Sequence, residues 1–90
     1  MKTVNKPIDM IAHFSTDGNI TLLRFRFTSE SGVIEKVNPD KSATYLKSVL
    51  RIGGEKVQEF KTQYELYGII RVAIIRYYQV QKKWVIHKME

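Results

Sequence analysis

Ninety residues carry 15 Lys/Arg against 9 Asp/Glu, a formal charge of +6, with 43% apolar and 27% charged residues and no cysteine. A chain of this length has material for one core, so residues 1–90 are read as a single domain. The balanced composition excludes disorder and fibrous repeats, and the missing thiols exclude disulfides, cysteine nucleophiles and Cys-type zinc sites. No apolar run nears the roughly 18 residues that span a bilayer, and the start "MKTVNKPIDM" lacks an apolar signal core, so a cytoplasmic protein without a membrane partner is expected.

The charge is unevenly placed. Residues 1–40 hold five Lys/Arg and five Asp/Glu, whereas residues 41–90 hold ten against four, so the C-terminal half carries the whole excess. Such a field attracts polyanions or acidic partners, and it also aids solubility.

"IAHFSTDGNITLLRFRF", residues 11–27, reads as two strands hinged on Thr16-Asp17-Gly18-Asn19. Centring the hairpin on Asp17-Gly18 opposes Met10 to Phe25, Ile8 to Phe27 and Ala12 to Leu23, an all-apolar face. The other face opposes Asp9 to Arg26, Ile11 to Arg24 and His13 to Leu22. Arg26 thus has a partner in Asp9. Arg24 has none, and with Ile11 and Leu22 it forms a mixed face that a barrel closing over it, or alternatively a docked protein, would cover.

Gly32 supplies a turn before a short strand, "VIEKV", at 33–37. In "NPDKSATYLKSVLRIGG" the pattern changes. Asn38 is read as an N-cap, Pro39 as the first helical residue and Gly53-Gly54 as the stop, with Ala43, Leu46, Val49 and Leu50 at helical spacing, so a short helix is expected over 39–52. Strands follow from 56, 69 and 83. A turn near Gly68 with opposed numbers summing to 136 faces Leu66 with Ile70, Tyr64 with Val72, Thr62 with Ile74 and Glu65 with Arg71. The strand from 69 is apolar on both faces, as a central, covered strand is.

Catalysis is poorly provided for. A Ser-His-Asp arrangement would need His13 or His87, and no strained Gly-x-Ser-x-Gly turn is present. Neither histidine has metal-ligand spacing to a neighbour, and Gly53-Gly54 near Lys56 lacks the spacing of a phosphate-cradling loop. No enzyme activity, cofactor or metal is expected. What the chain does offer is Arg76, Lys82, Lys83 and Lys88 interleaved with Tyr77, Tyr78 and Trp84. Cations that hold phosphates beside rings that stack on bases are how small β-barrels take single-stranded nucleic acid. Trp84 and one of the two tyrosines are assigned to the core, which leaves the other ring for stacking.

The segments "KPIDMIAHF", "LRFRF" and "IRYYQVQKKWVIHK" resemble small uncharacterised proteins of Gram-positive bacteria, over residues 6–28 and about 60–88. The resemblance implies a small SH3-like barrel and adds no catalytic residues; residues 38–54 are longer than that family leads one to expect. The fold expected is mainly β: an SH3-like barrel of five to six antiparallel strands with one short helix, or alternatively an OB-like barrel with its helix between the third and fourth strands. The function expected is a non-enzymatic binding module that takes single-stranded nucleic acid through Arg76, Tyr77, Tyr78, Lys82, Lys83 and Lys88. The alternative is an acidic protein contacting Ile11, Leu22 and Arg24.

Overall fold

A computed structural model describes residues 1–90 as seven antiparallel strands: β1 (Lys2–Phe14), β2 (Ile20–Thr28), β3 (Ile34–Val37), β4 (Tyr45–Ile52), β5 (Glu55–Leu66), β6 (Ile69–Tyr78) and β7 (Lys83–Met89). They form one sheet in the order β3-β2-β1-β7-β6-β5-β4. Each strand pairs with its neighbour in sequence, and β7 returns to β1, so only β3 and β4 remain unpaired with one another. The sheet is therefore a meander curled towards closure but left open along the β3/β4 seam, not the closed five- or six-stranded barrel expected from the sequence.

The curl brings the inward aromatics of distant strands together. Phe25 on β2 meets Tyr64 on β5 edge-on at 5.5 Å, although three strands separate β2 from β5 in the sheet. Phe27, Phe60, Ile75, Tyr77, Trp84 and Ile86 complete the interior. On β5, β6 and β7 the opposite face is buried as well, at Val57, Ile74 and Val85. β6 lies between β5 and β7 as its two apolar faces require.

β1 spans both halves of the sheet. Its first part pairs with β7 and its second part, from Asp9 onward, with β2. Pro7, which has no N–H to give, falls just before the pairing with β2 begins. The expected register holds for Asp9↔Arg26, Met10↔Phe25 and Ile11↔Arg24, then slips by one at a bulge after Ile11, so that Ala12 opposes Leu22. Leu22 is consequently a core residue, 2% exposed, while Leu23 takes the bulge position. That removes Leu22 from the mixed face assigned to it.

The helix expected over 39–52 is absent. Asp40, not Asn38, caps a single 3₁₀ turn, Lys41–Ala43, by accepting from the Ser42 N–H, and the chain then enters β4. Gly53 and Gly54 have φ of 58° and 82°. They form the two-residue, positive-φ turn of a β4–β5 hairpin, where the sequence suggested a helix stop. Tyr67 and Gly68 do the same between β5 and β6, at φ 52° and 75°. With both residues in the turn, opposed numbers sum to 135: Leu66 faces Ile69, Thr62 faces Ala73, Tyr64 faces Arg71, and Glu65 faces Ile70, so the expected Glu65–Arg71 pairing is displaced by one residue. The Tyr67 hydroxyl donates to Glu35 at 2.6 Å, which holds a bulky residue in a conformation usually left to glycine or asparagine.

Candidate nucleic-acid interface

Two hairpin ends meet at one end of the sheet. In the β4–β5 hairpin, Arg51 directly opposes Lys56, one pair back from the Gly53-Gly54 turn. In the β6–β7 hairpin, Tyr78 opposes Lys83, and Lys82 sits in the turn at φ 53°. The Gln79 N–H donates to the Lys56 carbonyl at 3.2 Å, joining the two ends. Glu55 tightens the junction. Its carboxylate accepts from the N–H groups of Val80 and Gln81, at 3.0 and 3.2 Å, and from the Gln81 side-chain amide.

This internal use of Glu55 shapes the local charge. Glu55 is buried and its acceptor capacity is directed into the turn, while Arg51, Lys56, Lys82 and Lys83 are all exposed and none makes an ion pair. Arg51 donates only to the Gly54 carbonyl, at 3.2 Å. Like charges directly opposed across an antiparallel pair repel, so the Arg51–Lys56 pair works against the hairpin unless an anion lies between the two. Tyr78, half-buried on the outer face with Val57 and Lys83, is an aromatic ring at this end outside the core cluster; Arg51 and Lys56, one residue along their strands, lie on the other face, so the cations flank the sheet end from both sides.

Of the residues assigned to the site from the sequence, Tyr78, Lys82 and Lys83 are brought together. The others are not. Arg76, expected to hold phosphate, instead donates from Nε to Glu59 Oε2 at 2.8 Å; Lys47 approaches the same carboxylate at 3.4 Å. Tyr77 lies inside the curl against Trp84, ring centres 4.5 Å apart, and Phe14 covers it at 5.5 Å. Neither Tyr77 nor Trp84 can stack on a base without unpacking the core. Lys88 is half-buried opposite Ile74, five residues along β7 from Lys83, or about 17 Å at the rise of a strand.

On the alternative face, Ile11 is 60% exposed and Arg24 donates from Nε to Asn38 at 3.1 Å. Arg26 bonds Asp9 at 2.6 Å, as the hairpin register required. A shallow depression of about 350 Å³ runs between Ile11, Arg24, Arg26 and Lys36. Leu22 takes no part in it.

Beneath the cationic end, the outer face of the sheet holds a polar row. Burial raises the Glu59 carboxyl, but the Arg76 hydrogen bond and charge, with help from Lys47, outweigh it and hold the group below the usual glutamate value. His87 is lowered, first by burial and then by the nearby Arg76 charge, and its Nδ1 bonds Asn5 Oδ1 at 2.6 Å. Asn5 sits at φ 44° where β1 slips in register against β7. These groups satisfy one another.

The chain matches no protein-family model, no curated protein and no solved structure, so the assignment of a site rests on its own geometry. Arg51 and Lys56 escaped the sequence reading because a helix placed them on unrelated elements. The signal was nevertheless present: treating Gly53-Gly54 as a two-residue hairpin turn opposes Arg51 to Lys56 at once.

Proposed function

We propose that the protein is a non-enzymatic binding module for single-stranded nucleic acid, held at the junction of the β4–β5 and β6–β7 hairpins. The observation that carries this reading is that the two joined hairpin ends present Arg51, Lys56, Lys82 and Lys83 exposed and without an ion pair, four cations against the single buried carboxylate of Glu55. Four exposed cations with no ion-pair partner attract a phosphate backbone, and binding releases the counterions condensed on it. Tyr78, beside Lys83, is the ring placed to stack on a base. The ligand is single-stranded because one ring and cations at a strand end suit a flexible backbone with splayed bases better than the grooves of a duplex.

Titration with a fluorescently labelled oligothymidylate of about 12 nucleotides tests the reading. Four phosphate contacts give a log–log salt slope near −3, so a threefold rise in salt weakens binding about twentyfold. Binding that is absent at low salt, or that does not respond to salt, contradicts it.

A further inference from the structure

The opposite end of the same strands holds a second, chemically different site. A cavity of about 280 Å³ opens there between β1, β2, β5, β6 and β7. Its wall is mostly apolar, with Val4, Phe27, Leu66 and Met89 facing the interior. Tyr64 and Arg71, which oppose one another across β5 and β6, interrupt that wall, and Lys2, Lys6, Ser29, Glu30 and Glu90 line the rest of the cavity.

Both are left incomplete by the protein. Tyr64 is 1% exposed, and its hydroxyl is buried with no hydrogen-bond partner; Arg71 Nε is likewise buried and unpartnered. Burial holds the Tyr64 phenol protonated by raising its pKa, against the lowering effect of the Arg71 charge, so the hydroxyl keeps a proton to donate. The remaining Arg71 contact is a long one, Nη1 to the Glu90 carbonyl at 3.4 Å. The Glu90 carboxylate accepts from the Val72 N–H at 2.9 Å and makes no hydrogen bond to the Arg71 or Tyr64 side chain. Lys6 donates to the Thr28 carbonyl, and Lys2 pairs with Glu30 out in solvent. Two convergent donors buried without acceptors are rare in proteins, and each carries a desolvation penalty that an acceptor would relieve.

We infer that this cavity binds a small monocarboxylate with an aliphatic or aromatic body. The Nε edge of a guanidinium presents two parallel N–H groups that match the two oxygens of a carboxylate, and the Tyr64 hydroxyl supplies a third donor. The body of the ligand lies against Val4, Phe27, Leu66 and Met89. The volume is at the lower limit for small-molecule pockets, about 300 to 1,000 Å³, so the ligand is small. The apolar wall favours a carboxylate with an apolar body over inorganic phosphate, which has no such surface to bury.

The experiment is a titration of the ¹⁵N-labelled protein with hexanoate and with benzoate, read from the backbone amides of Leu66, Val72 and Met89, with hexanamide and inorganic phosphate as controls. Hexanoate and benzoate should shift these three amides saturably at millimolar concentration or tighter, with hexanamide at least about tenfold weaker. Tyr64→Phe, which removes only the unpartnered hydroxyl and keeps the packing, should weaken hexanoate binding about fivefold to tenfold, and Arg71→Gln more. Equal binding of hexanoate and hexanamide, an unchanged affinity in Tyr64→Phe, preference for phosphate, or no saturable shift up to about 10 mM would each overturn the assignment. Oligonucleotide binding at the far end is independent of all four outcomes.

Discussion

The Arg76 guanidinium reaches the Glu59 carboxylate at 2.8 Å on the outer face of the sheet, where Glu59 is 5% exposed. An ion pair this enclosed contributes less than its Coulomb energy suggests, because both ions were hydrated before folding. Removing Arg76 is costly all the same, since buried Glu59 keeps only the longer contacts of Lys47 and Ser48, each at 3.4 Å. Arg76→Ala should therefore cost up to about 3 kcal/mol in urea denaturation, the lower end for a broken buried pair because Lys47 remains, while replacing both residues with leucine should recover most of that loss.

The same pair sets a pH dependence. Because the folded-state pKa of Glu59 is depressed, its contribution to stability is complete above the ordinary glutamate range and is lost as pH falls through the lower folded value. Comparing the native protein with Glu59→Gln should show a stability difference at pH 7 that shrinks as the solution is acidified below about pH 4. A difference that grows on acidification would contradict the ion-pair account.

Phe25 is 1% exposed and lies edge-on to Tyr64 and stacked on Phe27, at 5.5 and 6.2 Å. It ties β2 to β5 across the interior and so maintains the curl. Phe25→Ala should lose about 3 to 5 kcal/mol, a large share of the stability of so small a protein. By contrast, Arg26→Ala breaks only an exposed pair and should cost less than about 1 kcal/mol.

Gly54, at φ 82°, has open space where a Cβ would stand, so any cost of substitution there is conformational. Gly54→Val should destabilise the β4–β5 hairpin by about 1 to 2 kcal/mol, the cost of forcing a side chain into the left-handed region. Thermal denaturation of the variant measures it. No loss would mean that the two glycines do not form the turn.

The β1–β2 hairpin was legible because its alternation, its turn residues and the Asp9–Arg26 pairing all agreed on one register. Its bulge was not, since an extra residue such as Leu23 leaves no mark on an apolar run. In Tyr45–Ile52 the spacing of Leu46, Val49 and Leu50 suits a helix stripe as well as a strand. What decides it is non-local: β4 pairs with β5 from Tyr45↔Lys61 to Ile52↔Glu55, which no local pattern records. Glu59 was missed as the partner of Arg76 for the same reason. The two lie 17 residues apart and become neighbours only in the register fixed by the Tyr67-Gly68 turn.

The most direct test of nucleic-acid binding separates the place of the charge from its amount. One variant carries Arg51→Gln, Lys56→Gln, Lys82→Gln and Lys83→Gln; a second, of equal net charge, carries Arg24→Gln, Lys36→Gln, Lys41→Gln and Lys61→Gln. Both are titrated with the labelled oligothymidylate at two salt concentrations. The first should lose at least about a hundredfold in affinity at low salt and most of its salt slope, while the second stays within about tenfold of the native protein. Equal losses in the two variants would mean that net charge alone attracts the nucleic acid and that the paired hairpin ends are not a site.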